Sequence, residues 1–180
     1  YYSLLEMDFA KEEIISKLSL HRALLNGSAE LLVVYDEESS LEVAYALVLT
    51  KNLYGYVLLK YMAVLPWYRG KGVGIAAMRL INKRYADRQG IIAELTSFED
   101  EDGSMLKSLR KFFSRFGYVV IDSDYRIGGS PVELMVKPIK GTFEIEPVEH
   151  RIIRDFYTRV LNPFAMDKMI DIRPVRKPEE

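Results

Sequence analysis

Three glycines at alternating positions, Gly70, Gly72 and Gly74, stand between an apolar run that ends at Pro66 and a segment of helical periodicity that opens at Val73. No other feature constrains the chain as much. Proline has no N–H and would interrupt a ladder, so a strand over residues 54–65 has to end or leave its neighbour there. Glycines let the backbone turn tightly and come close to a ligand. The unpaired N–H groups of the first helical turn then form an anion site, reinforced by the helix dipole. Arg69 and Lys71 add positive charge at the same end. Strand, glycine turn and helix together describe a cradle for a phosphate or pyrophosphate.

Two nucleotide motifs can be checked against this segment. A Walker A loop needs Gly-Lys-Ser or Gly-Lys-Thr, and here Lys71 is followed by Gly72 and Val73. The dinucleotide fingerprint survives only as Gly72-x-Gly74 with Ala77 in the third slot. It would want a parallel sheet opening the chain and an acid about twenty residues on, and neither is well supplied.

The chain has 180 residues, enough for one cored domain and a short appendage. Apolar residues make up 49% and charged residues 28%, which excludes a disordered or collagen-like chain. No stretch approaches the roughly 18 consecutive apolar residues of a membrane span. Without cysteine there is no disulfide, thiolate zinc site or cysteine nucleophile. His21 and His150 are too few and too far apart for a histidine-rich metal site, so no metal is expected. The chain opens on Tyr1-Tyr2-Ser3 without a signal-like segment, and a cytoplasmic location is expected.

The net charge of −1 hides opposing blocks. Residues 1–50 carry nine acids against Lys11, Lys17 and Arg22, and residues 60–90 carry seven bases against Asp87 alone. A basic middle in an otherwise acidic chain suits a local anion site better than a nucleic-acid track.

Periodicity predicts a helix over 9–25 behind Asp8 as its cap, and an antiparallel hairpin from 31–35 and 41–49. The long strand 54–65, a helix over 73–88, a strand over 91–96 and a helix over 104–116 follow. Strands at 118–121 and 132–136 enclose a loop, and Pro147 opens a last helix that Asn162-Pro163 terminates. Residues 164–180 read as a tail, draped or loose. The order gives an α/β fold on a mixed, mainly antiparallel sheet, divided into residues 1–140 and a helical extension, 141–180.

With these elements in place, the segment Val64-Leu65-Pro66-Trp67-Tyr68-Arg69-Gly70-Lys71-Gly72-Val73-Gly74 resembles the cofactor motif of the GNAT superfamily of N-acetyltransferases. Phe112-Phe113-Ser114-Arg115-Phe116-Gly117-Tyr118 resembles that family's later aromatic signature. The resemblance covers about residues 8–138. It implies acetyl-CoA as cofactor, with backbone groups of Met62, Ala63 and Val64 holding the pantetheine arm. The loop and first turn, Arg69, Gly70, Lys71, Gly72, Val73, Gly74 and Ile75, bind the pyrophosphate. The fourth and fifth strands of the fold, here 54–65 and 91–96, splay so that the arm enters between them, and an amine attacks the thioester directly.

Where the chemistry sits, the chain departs from the family. Its general-acid tyrosine falls on Phe113, its early helix polar residue near Leu106, and the glutamate base of some members near Leu58. Glu94, inside the apolar run Ile91-Ile92-Ala93-Glu94-Leu95, is the candidate base, because an unpaired carboxylate there is costly and its pKa would rise. The other reading is an acid facing solvent or paired to Lys60. Tyr125 is the candidate acid, a free phenol near the end of the sixth strand. Trp67 and Tyr68 flank the cradle, Lys107, Arg110 and Lys111 could help with the adenosine phosphates, and Glu99–Asp102 could form an acidic lip.

The expected function is transfer of acetyl from acetyl-CoA to a primary amine, with an acyl-CoA-binding module without turnover as the alternative. The acidic first fifty residues favour a cationic acceptor. The last helix is a candidate homodimer surface, and neither nucleic acid nor membrane is an expected partner.

Overall fold

The computed structural model describes residues 1–96, 103–121, 123–141 and 148–173, the side chains of residues 148–150 and 173 excepted. The acidic segment 99–102 lies outside the described residues, as do Pro147 and the side chain of His150.

The sheet grows from a hairpin. β1 (Ala29–Tyr35) and β2 (Glu42–Leu49) pair antiparallel across the acidic turn, and β3 (Tyr56–Val64) pairs antiparallel with β2. α3 (Val73–Arg84) carries the chain over to β4 (Gly90–Thr96), which lies parallel to β3. After α4 (Ser104–Ser114), β5 (Val119–Ile121), β6 (Asp124–Ile127) and β7 (Ser130–Pro138) follow, and β7 pairs antiparallel with β4. With a last strand β8 (Ile170–Arg173), the strand order is β1-β2-β3-β4-β7-β6-β8, with β5 also on β7, so the β3–β4 step is the parallel one in a mainly antiparallel sheet.

The parallel pairing is short. It joins Tyr56–Leu59 to Gly90–Ala93, after which β3 runs on to Val64 and β4 to Thr96 without further register between them. The two strands part at Lys60 and Glu94, as the splay expected from the family requires. Opposite this point β3 carries a bulge. Leu47 pairs with Tyr61 and Val48 with Leu59, leaving Lys60 as the extra residue. A bulge breaks the strict alternation of faces, and Lys60 and Tyr61 both reach the same side of the sheet.

Each face has its own core. One contains Val57, Leu59, Ile91, Ala93 and Met135 under Met78 and Ile81 of α3, Tyr85 just after it and Phe113 of α4. The other contains Leu58, Tyr61, Ile92 and Leu134 under α1 (Tyr2–Asp8), α2 (Lys17–Leu25) and α5 (Val148–Thr158). Fully burying an isoleucine such as Ile91 or Ile152 contributes roughly 1.5–3 kcal/mol.

The helix expected over 9–25 is reduced to a single 3-10 turn at Lys11–Glu13 and to α2, and a helix the periodicity does not predict, α1, precedes them. Asp8 ends α1 rather than capping the next helix. Ser16 caps α2, its Oγ accepting from Ser19 N at 3.3 Å. Just before it the backbone is extended, held by the Tyr61 hydroxyl, which accepts from Ile15 N at 2.9 Å and donates to Glu13 O at 2.7 Å. A buried phenol 46 residues away overrides the local helical pattern.

The C-terminal segment also differs from the periodicity. Asn162-Pro163 starts a helix, α6 (Pro163–Met169), instead of only ending one: Asn162 Oδ1 accepts from Ala165 N at 2.8 Å, and proline fits the first turn. β8 (Ile170–Arg173) then pairs with β6, which lies within the stretch expected to be loop. Ile152, Phe156, Tyr157, Met166 and Ile170 join the core on the α1 face.

Candidate active site

The glycine turn is built from backbone. After a 3-10 turn at Pro66–Tyr68, Gly70 and Gly72 take φ of +74° and +82°, a left-handed conformation that favours glycine. A Cβ on either would meet nothing within 4 Å, so the space beside these two glycines is open. Gly72 precedes α3, and no side chain caps that helix end among the described residues. Gly74 lies one residue inside the helix. A Cβ there would sit 3.5 Å from Val64 Cγ2 and 3.8 Å from the Phe112 ring, so α3 starts tight against the end of β3 and against α4. Open, positively charged and lined by first-turn N–H groups, this cradle fits a pyrophosphate.

Arg69 reaches back from it. Its Nε donates to Val64 O at 2.9 Å and its Nη2 to Asp8 Oδ1 at 2.6 Å, while the Tyr45 hydroxyl donates to Asp8 Oδ2 at 2.8 Å. The guanidinium thus ties the end of α1 to the end of β3. Lys71 Nζ lies 5.8 Å from the Tyr68 ring, and Trp67 is 86% exposed beside the loop.

Where β3 and β4 part, side chains rather than backbone make the site. Lys60 Nζ donates to Glu94 Oε2 at 2.8 Å, and the side chains of both are 1% exposed. Tyr125 of β6 donates its hydroxyl to Glu94 Oε1 at 2.7 Å. Tyr157 of α5 lies 2.9 and 2.8 Å from the two oxygens. Lys60 Nζ is also 5.0 Å from the Tyr61 ring centroid and 5.8 Å from that of Tyr157. Burial, with the Glu94 charge next in importance, pushes the Tyr125 and Tyr157 phenols well above their ordinary value, so both are neutral hydrogen-bond donors. Alongside, Glu13 is buried, its Oε1 accepting from Ala10 N at 3.1 Å and its Oε2 from the Thr96 hydroxyl at 2.6 Å.

The structure therefore brings Glu94 and Tyr125 together, but not for the reasons the sequence offers. Glu94 is not an unpaired carboxylate: Lys60 meets it in the low-dielectric interior, where each charge needs the other. Tyr125 is not a free phenol: its proton points at Glu94. Tyr157 was not legible as a site residue, because in sequence it is one more aromatic beside the Phe156 stripe. Phe113 packs edge-on against Phe112 and Tyr118 in the core, with ring centroids 5.5 and 5.2 Å away, and Leu58 is fully buried. Arg110 is engaged, its Nε donating to Glu133 Oε1 at 2.6 Å.

The acids of the first fifty residues are dispersed. Asp8 and Glu13 have the partners just given, Glu30 accepts from Arg84 and from the Tyr85 hydroxyl, and Asp36 accepts from Ser39 within the β1–β2 turn. No described helix is long and apolar enough to cross a membrane.

Comparison with known proteins agrees with this geometry. Among solved structures, a protein described as a GNAT-family acetyltransferase from Bacteroides thetaiotaomicron shares the fold at a TM-score of 0.68 and 19% identity, over 87% of this chain and 86% of its own. An aminoglycoside 6'-N-acetyltransferase complexed with coenzyme A matches at 0.55 and 14%, over 79% and 91%. A spermidine N-acetyltransferase chimera, part of it from Vibrio cholerae, matches at 0.56 and 13%, over 76% and 88%. No curated protein matches at a significant level. The profile of the acetyltransferase (GNAT) domain matches residues 27–120, from the end of α2 through β5, and so takes in the hairpin, the parting strands and the glycine cradle. Covering more than half of the chain, that match shows that it belongs to the GNAT family of acetyltransferases.

Proposed function

We propose that this acetyltransferase moves the acetyl group of acetyl-CoA onto the primary amine of a small molecule by direct attack. The observation that carries the reading is the alignment of two half-sites: an open backbone cradle at Gly70–Gly74, and a buried proton-carrying cluster where β3 and β4 part. The cradle holds the pyrophosphate, with Ile75 bracing it through its N–H bond to Gly72 O at 3.0 Å. The stretch Met62–Val64, paired with β2 but not with β4, offers the backbone groups it turns away from β2 to the pantetheine arm. That an aminoglycoside enzyme of similar fold is complexed with coenzyme A supports coenzyme A as the ligand.

Acetyl-CoA supplies an activated thioester. The chain's own residues hold it, exclude water and manage one proton. As the amine nitrogen bonds to the acetyl carbon and the carbon–sulfur bond breaks, the amine gives up a proton and the departing thiolate gains one. Glu94 receives the first and Tyr125 supplies the second, through the hydrogen bond they already share. Bound this way they act as one relay, with Lys60 and Tyr157 keeping the carboxylate oriented. Holding the amine against the thioester supplies much of the rate.

The test is thiol release from acetyl-CoA across a panel of small amines, with calorimetry of acetyl-CoA binding alongside. Amine-dependent release supports the reading. Tight binding with no release from any amine overturns it.

A further inference from the structure

On the α1 face, a cavity of about 510 Å³ opens between α1 and α2 over β1 and β2. Leu5, Leu24, Leu31 and Leu47 give it apolar walls, and its size is that of a small-molecule pocket. Leu47, in its wall, pairs across β2 and β3 with Tyr61, whose ring centroid lies 5.0 Å from Lys60 Nζ. The cavity therefore borders the strand residue that stands beside the Lys60–Glu94 cluster.

Its lining carries one cation, Lys17, with the His21 imidazole beside it. Lys17 and His21, a helical turn apart on α2, both line it, and neither makes an ion pair among the described residues. No acidic residue lines it, although the first fifty residues hold nine. Asp8, at the end of α1, is committed to Arg69 and Tyr45. An apolar body is attracted to such a cavity, a carboxylate is welcome on its α2 wall, and a second ammonium is not.

From the cavity's walls, its cationic side and its proximity to the cluster, we infer that the acceptor is an amine on an apolar body that also carries a carboxylate, with the body and carboxylate seated between α1 and α2. This rests on the acetyl-transfer reading and narrows it: polyamines are the wrong class.

The test uses three amines of equal apolar length with acetyl-CoA and the whole chain: 8-aminooctanoate, octylamine and 1,8-diaminooctane. The expected order of kcat/KM is that order, with each step about fivefold, the effect of roughly 1 kcal/mol from a partly exposed charge. Propylamine should trail octylamine by about two- to fourfold per methylene, the scale of burying a CH₂ group. Lys17→Glu should reverse the order of the amino acid and the diamine. Turnover that favours the diamine in the unmodified protein overturns this inference and leaves acetyl transfer standing. If no amine releases thiol, the transfer reading fails. Calorimetry of the three probes on the free protein then decides the cavity alone: 8-aminooctanoate binding tightest sustains it, and equal or diamine-favoured binding overturns it.

Discussion

The cofactor cradle follows the end of β3 and the Lys60–Glu94 cluster sits midway along it, and the two are made of opposite materials. The cradle is backbone: positive-φ glycines, first-turn N–H groups and open space around them. The cluster is side chain, contributed by β3, β4, β6 and α5 and sealed from water. A backbone cradle demands little of the rest of the fold and can be obstructed without unfolding it. A buried ion pair with two phenols in attendance is part of the core, and removing one member leaves another without compensation. Function and stability should therefore separate at the first and travel together at the second.

The largest stability effect should come from Lys60→Met, which strands the Glu94 carboxylate in the interior. The expected loss is about 3–5 kcal/mol in urea unfolding. Replacing Glu94 by methionine as well should recover part of it. A loss below about 1 kcal/mol in the single variant would mean that the pair is better hydrated than its burial indicates.

Alkaline pH should probe the same cluster. Burial and the neighbouring Glu94 charge raise the Tyr61, Tyr125 and Tyr157 phenols well above 10 in the folded protein. Their contribution is present in full below the unfolded value, about 10, and is lost as pH rises beyond it, because only the unfolded chain then releases those protons. Urea unfolding at pH 8, 9.5 and 11 should show little change between the first two and a fall by the third. Tyr125→Phe should flatten that fall by about 1.4 kcal/mol per pH unit. An unchanged slope would remove Tyr125 from the cluster's proton balance.

At the cradle, Gly74→Val directs branched carbons at Val64 and Phe112 and should spoil the fit of α3's first turn. Acetyl-CoA affinity should fall by about tenfold or more, some 1.4 kcal/mol, while the melting temperature moves by a few degrees at most. Unfolding together with loss of binding would erase the contrast between the two regions. Smallest of all, Arg110→Ala removes a pair with Glu133 whose arginine side chain is 46% exposed, and should cost about 1 kcal/mol or less in the same urea measurement.

The unequal legibility of the two regions has a physical cause. The cradle depends on backbone conformations that only glycine adopts readily, next to a proline that stops a strand, so Pro66 and Gly70–Gly74 could be read in order along the chain. The cluster depends on contacts across 31 to 63 residues of sequence, from Tyr125, Lys60 and Tyr157 to Glu94. The polar residue in an apolar strand drew attention to Glu94, and Lys60 was a foreseeable partner, but nothing local marked Tyr157. The same blindness to distant contacts merged the 3-10 turn and α2 into one helix over 9–25, because the Tyr61 hydroxyl that bonds Glu13 O and Ile15 N, on either side of the extended Ile14, belongs to β3. Charge counting fared likewise. Nine acids in fifty residues suggest a field, and the fold ties four of them, Asp8, Glu13, Glu30 and Asp36, to Arg69, Thr96, Arg84 and Ser39.

The most direct test of the division between cradle and cluster is Glu94→Gln, measured well below its melting temperature for both acetyl-CoA affinity and the pH–rate profile of acetyl transfer. The amide oxygen can still accept from Tyr125 and Tyr157 while its nitrogen faces the Lys60 ammonium, so the proton acceptor is removed and the melting temperature falls with it. The expected result is a kcat lower by roughly 10²–10⁴-fold, with loss of the limb that reports the base, and an unchanged Kd for acetyl-CoA. A folded variant with wild-type kcat and pH profile would contradict the account.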